Sequence, residues 1–196
     1  MEICIIRHGE TDWNKEGKLQ GREDIPLNEE GINQMKKNIE YLKKNKWDKI
    51  ITSPLLRARK SAEIIAKSIG ITEIIEDENL IERDYGEASG MTVEERKKAF
   101  PDGKYRGMEV LEELQQRIVN SINKYKKMYY GKNMIIVSHG AAINSLLSYL
   151  SNNKIGSGET ILKNACINLL KYNENEIEIE FYNKLATDLC EGVNNV

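Results

Sequence analysis

Residues 2–14 read "EICIIRHGETDWN", an apolar, β-branched run that stops on an arginine and a histidine and then meets a glycine. The run itself, residues 2–7, has the composition of a buried strand. A buried strand that ends on two basic side chains implies something anionic beyond its end. The glycine passes the chain into a polar loop, "GKLQGREDIP" at residues 17–26. The same local grammar returns at residues 133–140, "NMIIVSHG", where an unbroken apolar strand ends on His139 and Gly140. His8 and His139 are the chain's two histidines. In open α/β sheets, ligands bind beyond the carboxyl ends of strands, so the two imidazoles are expected to face one crevice. Two histidines without an HExxH spacing or a comparable third ligand give no metal site, and none is expected.

Working outward from these strands, the chain alternates apolar runs with helical periodicity, the pattern of an α/β domain. Asn28 is placed to cap a helix carrying Ile32, Met35, Ile39 and Leu42. "KIITS" at 49–53 reads as a strand. Ser53-Pro54 then has the form of an N-cap followed by a first-turn proline, opening a helix with Leu55, Ala58, Ala62, Ile65 and Ile69. "ITEII" at 71–75 is a third candidate strand. Leu111, Leu114, Ile118, Ile122 and Tyr125 mark a long helix, and "AAINSLLSYL" at 141–150 a further one. "CINLLKYN" and "EIEIEFYN", joined across "ENE", resemble an edge hairpin. Residues 84–107 are polar, glycine-rich and aperiodic, as in a lid-like insertion. One domain over 1–196 accommodates all of this.

Bulk composition narrows the function. The 196 residues are 40% hydrophobic and 31% charged with net charge −2, which lacks the basic footprint of a nucleic-acid binder. Lysine-rich pieces such as "KKNIEYLKKNK" mix Glu and apolar residues, as solvated helix faces do. No apolar run approaches the roughly 18 residues of a membrane span. Cys4, Cys166 and Cys190 form neither a disulfide framework nor a zinc cluster. The start, "MEICIIRHG", has no basic n-region or cleavage site, so the cytoplasm is the expected location.

Two further side chains answer the anion question. Arg57 falls on the first turn of a helix that follows a strand, where unpaired N–H groups and the dipole favour a phosphate. With Arg7 it supplies two guanidinium groups, suited to phosphate oxygens. Glu82, in "LIERDYGEASG", follows a short apolar stretch and alone would pass for a surface carboxylate.

In order and approximate spacing, "RHGETDWN", "LQGREDIPLNEEG", "SPLLRARKSAE", "IERDYGEASG" and "VSHGAAI" resemble successive motifs of the histidine phosphatase superfamily, phosphoglycerate mutase-like branch. The resemblance runs from about residue 3 to residue 170. It implies a three-layer α/β/α sandwich with a mostly parallel central sheet. It also implies that His8 is the nucleophile, forming a phosphohistidine. Arg7, Arg57 and His139 would be the phosphate pocket, and Glu82 the proton donor to the leaving group. Asn14, Gln20, Gly21 and Gly140 would complete the substrate-binding positions. No cofactor is implied, and the partner is a small phosphorylated substrate. The family divides between phosphatases and mutases. Gln20 in "LQG", and "YGEASGMTVEE" with Pro101 as the sole proline of its segment, resemble the small bacterial phosphatases, including broad-specificity and α-ribazole phosphate enzymes. A cofactor-dependent phosphoglycerate mutase is the alternative. "RGMEVLEELQQR" departs from the usual Gly-Glu-Ser block, and "LATDLCEGVNNV" from the usual ending.

Overall fold

A computed structural model describes residues 1–173 and 176–191. Its sheet is built from β1 (Glu2–Arg7), β2 (Lys49–Thr52), β3 (Ile74–Glu76), β4 (Met134–Ser138), β5 (Ile167–Asn173) and β6 (Glu176–Lys184). They lie in the order β3-β2-β4-β1-β5-β6. The first four in that order run parallel, while β5 pairs antiparallel with β1 and β6 antiparallel with β5. The fold is therefore α/β with a mixed, mostly parallel sheet.

Strand alternation builds two cores at once. Ile3, Ile5, Met134 and Ile136 face α5 (Leu111–Met128) and α6 (Gly140–Leu150). Cys4, Ile6, Ile135 and Val137 face the other way, toward α2 (Glu29–Leu42), α3 (Leu56–Ile69) and α7 (Ala186–Glu191). Residues 3–6 and 134–137 are all buried, which explains why these strands read as unbroken apolar runs rather than alternating ones. The two short remaining helices, α1 (Asp12–Lys15) and α4 (Val93–Ala99), lie in the loops that surround the strand ends.

Several local expectations hold: Asn28 caps α2 through Gly31 N–H at 2.8 Å, and β5 and β6 form an edge hairpin. Residues 174 and 175 of its expected turn lie outside the described residues. Others are corrected. The third strand starts at Ile74, so Ile71 to Glu73 are not part of it. Ser53 does not cap a helix with Pro54 at its first position, because α3 begins only at Leu56 after Leu55. The Leu56 N–H is instead capped from across the loop by Asp24 Oδ1 at 2.6 Å. Ser53 is left for other work.

Gly9 matters through close approach. A Cβ there would overlap the backbone of Gly31, and one on Gly31 would overlap Glu10, so the start of α2 packs backbone-to-backbone on the loop after His8. Residues 84–107 form a wall rather than an appendage. They contain a 3₁₀ turn at Gly86–Ala88 and α4, which carries a capping box from Thr92 to Glu95. Reciprocal bonds, Leu19 N–H to Met91 O (3.0 Å) and Gly90 N–H to Leu19 O (2.8 Å), tie this wall to the loop after α1.

Candidate active site

The register of the two central strands brings the histidines together. β1 and β4 are parallel neighbours with Arg7 opposite Ser138, and His8 N–H donates to Ser138 O at 3.0 Å. The next residues along each strand, His8 and His139, therefore leave the sheet side by side. Their ring centroids are 5.2 Å apart.

Each ring is held by its own partner. His8 Nδ1 lies 2.7 Å from the carbonyl of Gly9. A carbonyl can only accept, so Nδ1 carries the proton and Nε2 presents a lone pair. Burial, then the charges of Arg57 and Arg7, push the His8 pKa well below its usual value of 6.5, against the opposing Gly9 bond. The ring is neutral at physiological pH, as a nucleophile must be. His139 is fully buried and its pKa is likewise pushed well down, by burial first and then by Arg57, His8 and Arg7. Its Nε2 lies 2.8 Å from Ser53 Oγ.

The arginines are pre-aimed by backbone carbonyls. Arg57, fully buried on the first turn of α3, donates to Gly21 O (2.7 Å) and Glu23 O (2.6 Å). Gly21 takes a positive φ of 52°, which turns its loop back toward the guanidinium. Burial lowers the Arg57 pKa to about 10, leaving it cationic at neutral pH. Arg7 donates to Leu162 O at 2.5 Å. The Nε atoms of both arginines, Nδ1 of His139 and Oε1 of Gln20 are buried with no hydrogen-bond partner among the described residues. Buried donors are normally satisfied. Two unsatisfied guanidinium N–H donors and the unpartnered Nδ1 of His139, near the His8 ring, form a cradle suited to an oxyanion.

Glu82 enters from the turn after a 3₁₀ segment, Glu78–Leu80. Its carboxylate accepts N–H bonds from Arg83 (2.9 Å), Ala141 (3.1 Å) and Ala142 (3.0 Å), so the N-terminus of α6 holds it in place. The N-terminus of the helix that carries Arg57 was expected to favour phosphate; there the Leu56 amide takes the carboxylate of Asp24. At α6 the first-turn amides take that of Glu82. Asn14 sits in α1, where its Oδ1 accepts from Thr11 and, at 3.0 Å, from Asn164. Gly140 is where α6 passes Arg7: a Cβ there would stand 3.5 Å from Arg7 Nε.

A cavity of about 680 Å³ opens over this cluster, and Arg7, His8, Asn14, Gln20, Gly21, Arg57, Glu82 and Gly140 all line it. His139 lies just beneath that lining, fully buried and packed against the His8 ring. The outer lining comes from loops, with Lys18, Tyr85 and Ile161, and from helices, with Arg96 on α4 and Leu111 at the start of α5. Among the described residues no group of three His, Cys, Asp or Glu side chains is placed to hold a metal ion.

The sequence reading passed over Glu109 and Arg117. Arg117 donates to both carboxylate oxygens of Glu109 (2.7 and 2.9 Å) and to the carbonyls of Asn79, Ile81 and Glu82 (2.7, 2.8 and 3.0 Å). Burial would raise the Glu109 carboxyl, but the bonds and charge of Arg117, the Asp84 N–H and the charge of Arg22 together outweigh it and hold the pKa below the usual range. The pair clamps the backbone that carries Glu82. An acid one residue before α5's N-cap and a base two turns into it were the available signals, obscured by the altered motif around Glu109. Asn164 and Leu162 were likewise missed, because they act through another side chain or a backbone carbonyl, and Ser53 was read only as a helix cap.

The family model of the histidine phosphatase superfamily (branch 1) matches residues 3–185. The chain is 45% identical over 181 residues to uncharacterized phosphatase PhoE of Bacillus subtilis (strain 168), covering 92% of this chain and 93% of that protein. It is 33% identical to probable phosphoglycerate mutase GpmB of Cronobacter sakazakii, over 76% of this chain and 74% of that one. Among solved structures, a phosphoserine phosphatase mutant from Entamoeba histolytica in complex with phosphoserine superposes with a TM-score of 0.82 at 28% identity. That match covers 96% of this chain and 98% of the other.

Proposed function

Because this chain belongs to branch 1 of the histidine phosphatase superfamily, we propose that it hydrolyses small phosphomonoesters through a phosphohistidine on His8. The observation that carries the reading is the neutral His8 ring, Nε2 bare, set among buried nitrogens of Arg7, Arg57 and His139 that have no partner among the described residues. In the first step His8 Nε2 attacks phosphorus and the ester P–O bond breaks. Glu82 gives its proton to the departing oxygen, and the leaving group exits as an alcohol. In the second step Glu82, now a carboxylate, takes a proton from water as that water attacks phosphorus. The N–P bond then breaks, releasing inorganic phosphate and restoring His8. The guanidinium groups and His139 stabilise charge on the phosphoryl oxygens, so the chemistry needs no metal.

Residues 84–107 contribute Tyr85 and Arg96 to the cavity lining and, in this reading, choose the leaving group. The neighbourhood of phosphoserine phosphatase supports a small phosphorylated metabolite as substrate. Three free cysteines fit a reducing cytoplasm. Likeness to a probable mutase favours a second reading, transfer to a bound phosphoglycerate. A phosphomonoester panel that includes 3-phosphoglycerate, with and without 2,3-bisphosphoglycerate, separates the two. Hydrolysis unaffected by the bisphosphate or by chelator is expected; isomerisation outrunning hydrolysis would move the chain to the mutases. His8→Ala should lower turnover by about 10⁴-fold, and retained turnover would remove the nucleophile.

A further inference from the structure

Ser53 is fully buried, and its hydroxyl has two neighbours: Leu55 N–H donates to Oγ at 3.3 Å, and His139 Nε2 lies 2.8 Å from it. These contacts decide where the ring proton of His139 resides. If Nε2 carried it, Oγ would accept twice, leaving the serine hydroxyl hydrogen and the bare Nδ1 both buried without partners. If Nδ1 carries it, the hydroxyl donates to Nε2 and accepts from Leu55, leaving only the Nδ1–H unpaired. An unmade hydrogen bond in a buried site costs about 1–3 kcal/mol, so the arrangement with fewer orphans wins.

We infer that Ser53 is a positioning residue that fixes His139 as its Nδ1–H tautomer, so that the nitrogen left free is a donor to an anion. Nδ1 is the unpartnered atom of that ring, which stands 5.2 Å from His8. A bare nitrogen there would set a lone pair against phosphoryl oxygens; an N–H meets them as a donor. The serine that looked like a helix cap is thereby assigned to the chemistry. This rests on the phosphoryl-transfer reading only for its kinetic consequence, since the tautomer exists in the free protein.

The chain's two histidines make the test clean. In ¹⁵N-histidine spectra of the ligand-free protein at neutral pH, a protonated ring nitrogen is resolved from a bare one. Both rings are expected to show Nδ1 protonated and Nε2 bare, with Ser53→Ala shifting His139, and not His8, toward the Nε2–H form. A His139 ring that is Nε2–H in the unmodified protein would overturn the inference. So would a ring whose spectrum Ser53→Ala leaves unchanged. Inorganic phosphate should move the His139 Nδ1 signal; with the tautomer as assigned but no response to phosphate, the phosphate-contact reading fails and the tautomer assignment stands. In turnover, Ser53→Ala should lower kcat/KM by about 10- to 100-fold, with Ser53→Thr restoring most of it. Loss in both variants alike would mean a packing role and would contradict the inference.

Discussion

The floor of the cavity and its mouth are built by different rules. At the floor, Arg57 and His139 are fully buried and His8 is 2% exposed, each set by a strand end or a first helical turn and pinned by a backbone carbonyl or a buried hydroxyl. At the mouth, Ile161 is 93% exposed and Leu111 and Arg96 project from separate segments. At the floor most polar groups satisfy one another, while Arg7 Nε, Arg57 Nε and His139 Nδ1 are left without a partner among the described residues. The mouth is a surface assembled by loops, α4 and the first turn of α5, whose side chains can change without disturbing the sheet. Under the proposed function, the reaction belongs to the strand ends that the fold fixes, and the choice of leaving group to the edge around them.

Removing Glu82 tests the contrast most severely, because Glu82 is the floor's link to the leaving group. Glu82→Gln should cost about 10²- to 10³-fold on alkyl phosphates, and under about tenfold on aryl phosphates, which depart without a proton. Equal losses on both, measured as kcat/KM, would break the proton-donor assignment.

Acid sharpens the comparison from the stability side. Both floor histidines have folded-state pKa values below the usual 6.5. As pH falls below about 6.5, the unfolded chain binds protons that the folded chain refuses, so stability is lost on acidification. The slope should approach about 1.4 kcal/mol per pH unit for each ring, until the folded rings themselves titrate. Urea midpoints between pH 7.5 and 5.5 read this directly, and a flat profile would contradict two buried neutral imidazoles.

The smallest effect belongs to the mouth. Ile161→Ala and Arg96→Ala should change KM for individual substrates by a few-fold, about 1 kcal/mol. Inhibition by inorganic phosphate should stay as it was. A large fall in kcat for either variant would erase the distinction between floor and mouth.

Much of the floor was legible because its residues lie in short contiguous blocks that the strands deliver intact. "RHG" and "SHG" end neighbouring parallel strands, so likeness in sequence became adjacency in space. The long helices α2, α3, α5 and α6 were legible from periodic apolar stripes, whereas the six-residue α7 was not. Ser53 was misread because Ser-Pro ahead of an apolar helix is an ordinary cap pattern, and only the strand register puts His139 within reach. Arg117 and Glu109 were missed because their work is done on the carbonyls of Asn79, Ile81 and Glu82, which no side-chain pattern records. Segment 84–107 looked structureless because its order comes from pairing with Leu19 and from the turn at Gly86, where a Cβ would overlap the Arg106 carbonyl.

The covalent step is the hinge of the mechanism, and trapping it is the most direct measurement. Enzyme turning over a phosphomonoester, quenched in base and mapped by peptide mass spectrometry, should carry an acid-labile phosphoryl group on the peptide containing His8 and none on that containing His139. A phosphoryl group on any other residue, or inversion of configuration at phosphorus, which a direct attack by water would produce, would contradict it.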